Sequence, residues 1–183
     1  STHASGALVV WLDDRATPAH LFGTLNATTL QAGLDALSSL GGGELHVKDG
    51  TYSIASTLSV PTGVILSLSP KTKLQPTSDI DVVRLRKNSQ IRGGVIDVSG
   101  QNPYTKAGVY LHGSDQFHYR SEEHATIQDV VFESNGGRGK AIHMKALLAS
   151  EYIAAVQISN CMIDNFEYGI YTEGNTTYDN NMG

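Results

Sequence analysis

The chain lacks several features that would indicate a particular class of protein. It has one cysteine among 183 residues, Cys161, so no disulfide can form within the chain. Lysine and arginine number 13 against 18 aspartates and glutamates, and the net charge of −5 gives no reason to expect nucleic acid as a partner. No apolar run approaches the roughly 18 residues of a membrane-spanning helix, so we expect no membrane insertion.

Both ends of the chain also lack expected features. The start, "STHASGALVVWLDD", has no basic region followed by a long apolar one, and it begins with Ser rather than Met. The end, "YGIYTEGNTTYDNNMG", follows a strand-like segment without any capping pattern. We therefore expect the chain to be the N-terminal piece of a longer polypeptide.

Two families of repeated segments appear when the chain is aligned with itself at lags of about 27 to 38 residues. In the first, an aliphatic residue, a two-residue turn and a strand-like pair recur: "VPTGVILS" from Val60, "IRGGVIDV" from Ile91, "IQDVVFES" from Ile127 and "ISNCMIDN" from Ile158. In the second, apolar and polar residues alternate: "LHVKD" from Leu45, "VRLRK" from Val83, "VYLHG" from Val109, "IHMKA" from Ile142 and "IYTEG" from Ile170. Short strands with no helix between them predict an all-β fold, a single-stranded parallel β-helix with three sheets and about five rungs. An antiparallel β-domain with accidental self-similarity is the alternative.

One amphipathic helix is predicted before the repeats, in "TTLQAGLDALSSLGGG". Leu30, Leu34 and Leu37 form one apolar stripe, Thr28 and Gln31 have capping-box spacing, and glycines 41–43 end the helix. Because the end of a β-coil exposes an apolar interior, we expect this helix to cover it. The predicted organisation is a connecting segment over residues 1–25 and a β-helix over 26–183, whose capping helix occupies 26–43.

The stretch "LQAGLDALSSLGGGELHVKDGTYSIASTLSVPTGVILS", followed by "GGVIDVSG", resembles the right-handed parallel β-helix of the pectate-lyase-like superfamily. It is closest in kind to the N-terminal part of phage tailspike and appendage (tail fibre) proteins, and the resemblance covers roughly residues 28–174. It implies that the second family of segments forms the first sheet, whose outer face and long flanking loops bind saccharides in enzymes of this superfamily. It also implies a homotrimer, located in the virion tail or appendage or outside the cell.

The outward positions of the second family predict a binding surface. They form two columns, His46, Arg84, Tyr110, His143, Tyr171 and Lys48, Arg86, His112, Lys145, Glu173. Stacked neighbours should lie about 4.8 Å apart, and basic and aromatic groups suit an anionic glycopolymer. The predicted substrate-binding residues are Arg84, Arg86, Tyr110, His112, His143, Lys145, Tyr171 and Glu173. The alternative is that the columns have the ordinary composition of solvated strand faces.

Three residues, Glu133, Asp164 and His143, are candidates for catalysis. Asp97, Glu133 and Asp164, preceded by Leu66, form a third column, and Glu133 and Asp164 could act as a carboxylate pair in a glycoside hydrolase. Carboxylates at strand ends are equally typical of turns. His143 could serve as the base of a polysaccharide lyase. Polygalacturonase-type hydrolases carry several aspartates on the first sheet, where this chain has only Glu173, so the resemblance disfavours that subtype.

No cofactor is expected. The sequence shows no aspartate cluster of the pectate-lyase type, and the spacing of His112, His118 and His124 matches no familiar metal site, so no metal is expected. The favoured function is a tailspike-type or appendage-type β-helix that binds a host cell-surface glycopolymer, either a capsular polysaccharide or a wall polymer. Whether it also depolymerises that polymer is open, with a leaning towards a degrading enzyme. The alternatives are a purely structural β-helix module of a virion or surface fibre, and a secreted polysaccharide lyase.

Overall fold

The chain winds into an all-β parallel β-helix with one α-helix near the N-terminus. The computed structural model describes residues 10–11, 19–21, 26–118 and 123–175. Most of the predicted connecting segment 1–25, and residues 176–183, therefore lie outside the described part. No helix in the described ranges is long and apolar enough to cross a membrane.

The described elements follow one another as two short strands, one helix and five rungs of three strands each. The first elements are β1 (Val10–Trp11), β2 (Ala19–Leu21) and α1 (Ala27–Ser39). The first two rungs are β3 (Gly43–Val47), β4 (Gly50–Ile54) and β5 (Leu58–Val60), then β6 (Val64–Leu68), β7 (Thr72–Pro76) and β8 (Val83–Leu85). The last three rungs are β9 (Gln90–Arg92), β10 (Val95–Asp97) and β11 (Ala107–His112), β12 (Ala125–Gln128), β13 (Val131–Glu133) and β14 (Lys140–Ala146), then β15 (Val156–Ser159), β16 (Met162–Asp164) and β17 (Tyr168–Gly174). A short 3₁₀ helix, η1 (Gly113–Asp115), follows β11.

Each rung contributes one strand to each of three sheets. Sheet A holds the first strand of every rung and is extended beyond β3 by β2 and β1. Sheet B holds the second strands and sheet C the third strands. Among the described strands, all pairings between rungs are parallel, and only β1 and β2 pair antiparallel. The predicted parallel coil of about five rungs is therefore confirmed.

The core lies inside the coil, where the apolar positions of successive rungs stack. Leu45, Leu66, Ile91 and Ile127 are paired in sequence along sheet A and are fully buried. Phe132 fills the corresponding position of sheet B and is also fully buried. Burial of such a side chain stabilises the fold by about 1.5–3 kcal/mol. In the fifth rung, the last one described, the same inward positions are exposed at Ile163 and Ile170.

Tight turns join the sheet A strand of a rung directly to its sheet B strand. Gly93, Asp129 and Asn160 follow β9, β12 and β15 with φ of 71°, 56° and 52°. This left-handed conformation is accessible to Gly, Asn and Asp at least cost, which explains the residues found there. Each two-residue break predicted at these three places contains the left-handed turn residue, but its first residue still belongs to the strand.

Helix α1 covers the end of the coil as predicted, with Leu30, Leu34 and Leu37 buried. Its start differs from the prediction, because Asn26 is the N-cap and forms the capping box with Thr29. Gln31, which was predicted to belong to that box, instead bonds the backbone of Ser59 in both directions, at 2.8 and 3.0 Å. These two hydrogen bonds attach α1 to β5.

The predicted repeat register is wrong in the first two rungs. Leu45–Val47 belongs to sheet A, where it pairs with β6, so His46 and Lys48 do not begin the columns on sheet C. Ser59 of β5 occupies that first position, in register with Arg84. Likewise β6 lies in sheet A, and β7 is the true neighbour of β10, so Gln75 rather than Leu66 precedes Asp97.

The cause of this error is the length of the early rungs. Leu45 pairs with Leu66, 21 positions later, and Tyr52 pairs with Leu74, 22 positions later. These lags are short because the early rungs have short loops. They fall below the lags of about 27 to 38 residues at which the repeated segments were aligned. From β9 onward the loops lengthen, and there the predicted register is confirmed.

Candidate functional site

The outer face of sheet C carries the predicted binding residues in two columns. Arg84, Tyr110, His143 and Tyr171 are successive register partners, and Ser59 precedes them. His112, Lys145 and Glu173 are register partners in the second column, with Arg86 just after β8. At the spacing of parallel strands, neighbours within a column lie about 4.8 Å apart. The structure thus brings all eight predicted substrate-binding residues onto one face.

An aromatic stack runs along the first column. The His143 ring centroid lies 5.3 Å from that of Tyr110 and 5.3 Å from that of Tyr171, tilted by 55° against each. Lys140 Nζ lies 5.4 Å from the Tyr171 ring centroid, within the range of a cation–π contact. Flat, tilted rings of this kind offer both stacking surface and polar edges to a ligand.

Carboxylates partly neutralise the predicted basic face. Arg84 and Arg86 both pair with Asp115, at 3.1 and 2.6 Å. His143 Nε2 and Lys145 Nζ both contact Glu173, at 3.1 and 3.2 Å. Sequence reasoning assigned only Glu173 to this sheet, because Asp115 comes from η1 in a flanking loop. The free positive charge is therefore smaller than the columns alone suggest.

The pKa of His143 is lowered, which favours the neutral imidazole at neutral pH. Burial lowers its pKa, the nearby Lys140 lowers it further, and the hydrogen bond with Glu173 only partly opposes these effects. Burial also acts to raise the pKa of Glu173, but Lys145 and His143 outweigh it, so that pKa is lowered. If the neutral ring donates its Nε2–H to Glu173, the basic lone pair is on Nδ1. The same environment, burial first and Asp81 second, raises the pKa of Tyr110 to about 12.

A cleft of about 180 Å³ opens on this face, beside the aromatic stack. Its lining includes one carboxylate, three ammonium groups, a phenol and an imidazole, from Asp81, Lys106, Lys140, Lys145, Tyr110 and His143. Three cations line the cleft against one carboxylate, and it stays positively charged although Lys145 also pairs with Glu173. Such a site can hold an acidic ligand by charge and pack a ring against aromatic side chains.

The walls of the cleft are set by two aspartates that sequence reasoning did not select. Asp79 accepts hydrogen bonds from the Thr105 backbone and hydroxyl, at 2.8 and 2.6 Å, and from the Lys106 backbone at 3.2 Å. Asp81 accepts from the Ala107 backbone at 2.9 Å, while lining the cleft. These bonds hold the loop before β11 so that Lys106 borders the cleft. The signal in the sequence was the alternation of Asp79 and Asp81 immediately before a strand.

The loop after β14 is organised by a buried carboxylate. Glu151 accepts hydrogen bonds from the backbone of Leu147 at 2.8 Å and of Leu148 at 3.1 Å. Burial acts to raise its pKa, but these two bonds and the nearby His112 outweigh it, so the pKa is lowered. His112 Nδ1 lies 3.6 Å from this carboxylate and 2.8 Å from the Ser114 hydroxyl. His112 is therefore engaged in supporting the loop.

The catalytic candidates are divided between two sheets. Glu133 and Asp164 are register partners on sheet B, whereas His143 lies on sheet C. Lys73 Nζ sits between carboxylates of the sheet B column, 2.7 Å from Glu133 and 3.4 Å from Asp97. The structure therefore does not bring Glu133 and Asp164 together with His143.

Asp97 anchors this column as a structural carboxylate. Its side chain is 7% exposed and accepts from the Ser99 backbone and hydroxyl, from Gln75 and from Lys73. Burial acts to raise its pKa, but the bonds from Ser99 and Gln75 outweigh burial and leave the pKa lowered. A group with a lowered folded-state pKa stabilises the fold above its unfolded pKa, and the effect is lost as pH falls through the folded one.

The substitution Asp97→Asn is accordingly expected to make the free energy of unfolding depend less on pH in the acid range. Between about pH 5 and pH 2, the free energy of unfolding of the wild type should fall more steeply than that of the variant. Urea titrations at several pH values measure both slopes. Asp164→Asn removes the same charge from the exposed end of the column, and equal flattening in the two variants would contradict the assignment.

No group of three or more His, Cys, Asp or Glu side chains within residues 26–118 and 123–175 is placed to hold a metal ion. His112 contacts Glu151, while His118 packs against Tyr152, with ring centroids 4.7 Å apart. These two histidines thus have separate partners.

Comparison with known proteins adds little to this fold assignment. No protein-family model matches the chain, and no curated protein matches it. One solved structure that resembles it is described as "a putative glycosyl hydrolase from Parabacteroides merdae". The sequence identity is 17%, the match covers 79% of this chain and 87% of that chain, and the TM-score is 0.41. A likeness of this strength carries no argument about chemistry. The class defined by the structure is therefore a parallel β-helix with an N-terminal helix, and the superfamily and tailspike assignments stay predictions.

Proposed function

We propose that the outer face of sheet C binds an anionic glycopolymer of a host cell surface, and that the chain is part of a phage tailspike or appendage protein. The observation that carries the proposal is the convergence of Lys106, Lys140 and Lys145 with Tyr110 and His143 in one cleft. Ammonium groups pair with sugar carboxylates, while the two rings supply stacking surface and hydrogen bonds. The family resemblance adds two further parts to this proposal: the protein is a homotrimer, and it is located in the virion tail or outside the cell.

A comparison of polymers tests the binding proposal. The wild-type chain is immobilised, and its affinity is measured for fragments of polygalacturonate, which are acidic, and of dextran, which are neutral. We expect the acidic fragments to bind and the dextran fragments not to, with affinity falling as salt rises from 0.05 to about 0.5 M because screening weakens the charge pairing. If acidic and neutral fragments are retained equally, or neither is retained, the chain is better explained as a structural module of a virion or surface fibre.

A second candidate function is cleavage of the bound polymer by β-elimination, and the lowered pKa of His143 favours it. The neutral imidazole would accept the proton beside the sugar carboxylate, and a lysine ammonium would stabilise the resulting anion. The electron pair then forms a carbon–carbon double bond as the glycosidic carbon–oxygen bond breaks. The departing oxygen takes up a proton from solvent or from a neighbouring acid such as Tyr110.

Elimination predicts a new double bond conjugated to the carboxylate, which ultraviolet absorbance follows directly. Acidic glycans that bind the wild type should develop this absorbance, and His143→Gln should slow it by about 10²–10⁴-fold while affinity changes far less. Burial holds the pKa of His143 below its usual value near 6.5. The elimination rate should therefore begin to fall, as the imidazole becomes protonated, only below that pH. A bound polymer that stays intact, or cleavage at the wild-type rate in the variant, would exclude this chemistry.

A further inference from the structure

A second cavity lies at the other end of the same face and has no role in the proposed cleft. Its volume is about 580 Å³, within the range of about 300–1,000 Å³ typical of small-molecule sites. Three segments border it: the face of α1 that carries Gln31, Asp35 and Ser38, the turn after β5, and η1 with the residue that follows it. Ser59 and Arg86, which project from the outer face of sheet C, border it from below.

The charges around this cavity balance. Two carboxylates, Asp35 and Asp115, face two cations, Arg86 and Lys87. Arg86 and Asp115 are themselves paired at 2.6 Å. Much of the remaining lining consists of hydroxyl and amide groups. The first cleft, by contrast, has three ammonium groups and one carboxylate. An uncharged, hydroxyl-rich ligand therefore suits the second cavity, and an acidic one suits the first.

One column of register partners connects the two sites. Ser59 lines the second cavity, Arg84 is its register partner, and Tyr110 of the first cleft is the next partner along. Two strand steps separate Ser59 from Tyr110, which is roughly 10 Å. Arg84 is held between them by Asp115 at 3.1 Å. A ligand lying along the coil axis would pass from one site over Arg84 into the other.

We infer that the second cavity is a subsite for a neutral sugar, so that the ligand is a heteropolymer with both acidic and neutral units. This inference rests on the proposed function of the first cleft. It adds a specificity that charge attraction to the first cleft cannot supply, because a homopolymer of acidic sugars would place a carboxylate in the charge-balanced cavity. Arg86 is paired with Asp115, and Lys87 Nζ lies 3.7 Å from Glu123, so desolvating that carboxylate beside cations that already have partners would weaken binding.

The test uses two probes of equal length and a variant that fills the cavity. Hyaluronan fragments alternate uronate with a neutral N-acetylated sugar, whereas polygalacturonate fragments contain uronate alone. We expect the wild type to bind hyaluronan fragments about tenfold more tightly. Ser38 is exposed and lines the cavity, so Ser38→Tyr should remove this preference and leave the affinity for polygalacturonate unchanged.

Ser39→Tyr is the matched control, because Ser39 is the exposed neighbour of Ser38 in α1 and does not line the cavity. The inference is overturned if the two tyrosine variants behave alike, or if the wild type does not prefer hyaluronan. Retention of polygalacturonate without that preference would overturn only the second subsite. Failure to bind either probe would overturn the proposed function along with it.

Discussion

Reversing two charges at the cleft, Lys106→Glu with Lys140→Glu, is expected to abolish the binding of acidic glycans. Lys106 is exposed at the rim, and Lys140 Nζ donates to the Thr105 carbonyl at 2.9 Å while lying beside the Tyr171 ring. Both side chains line the cleft. Their replacement leaves Lys145 as the cleft's lysine, against Asp81 and two new carboxylates, so a sugar carboxylate would meet like charges. Like-charge juxtaposition costs several kcal/mol, and we therefore expect at least ~100-fold weaker binding of any acidic polymer the wild type retains.

The control for this prediction changes the same number of charges elsewhere. Lys48 and Lys71 are exposed at the corner between sheets A and B, and their double replacement by glutamate gives the same net charge as the cleft variant. If long-range attraction dominated, both variants would lose affinity equally. We expect the control to bind within about threefold of the wild type at physiological salt, since the Debye length there is about 8 Å. Equal losses in the two variants would exclude the cleft as the binding site.

The second large effect concerns the helix that closes the coil. Leu34 is fully buried where α1 packs against the first rung, and Leu34→Ala should lower the free energy of unfolding by about 2–5 kcal/mol. The loss has two parts, the transfer free energy of the deleted methyl groups and the cavity left between helix and strands. Chemical denaturation followed by circular dichroism measures it.

Leu40 provides the matched comparison, because it follows the same helix and is 64% exposed. Leu40→Ala should change stability by no more than about 0.5 kcal/mol. Were Leu34→Ala equally mild, α1 would be an appendage and not the cover of the core. A marked loss in both would contradict burial against the first rung as the origin, because Ala has a higher helix propensity than Leu and the exchange by itself does not weaken a helix.

The sequence predicted the fold well because the strands of a β-helix alternate inward apolar and outward polar residues, and this pattern is visible within a few residues. Ile142 and Met144 could be assigned inward and His143 outward from period two alone. The third column was also predicted correctly where the loops are long, and Asp97, Glu133 and Asp164 do stand in register. Whether the eight residues predicted for substrate binding, or Glu133, Asp164 and His143 as catalytic groups, have these roles stays a prediction.

Alternation was insufficient where rungs are short. Strands β3 and β5 both alternate, and nothing in "LHVKD" itself tells which of three sheets it joins. Membership of a sheet depends on how many residues the preceding turns consume, and this is settled only when whole rungs stack. His46 was therefore assigned to a column that Ser59 begins.

What the sequence by itself determined is the parallel coil, its inward and outward faces, and the helix at its end, because periodicity and turn chemistry act over a few residues. Only the tertiary structure decided which charges meet. Asp115 arrives beside Arg84 from 31 positions away, and Asp81 and Lys106 reach the same cleft from different loops. These contacts also separate Glu133, paired with Lys73, from His143, paired with Glu173. Side chains distant in the chain become neighbours through rung stacking and loop closure, and no local pattern specifies that pairing.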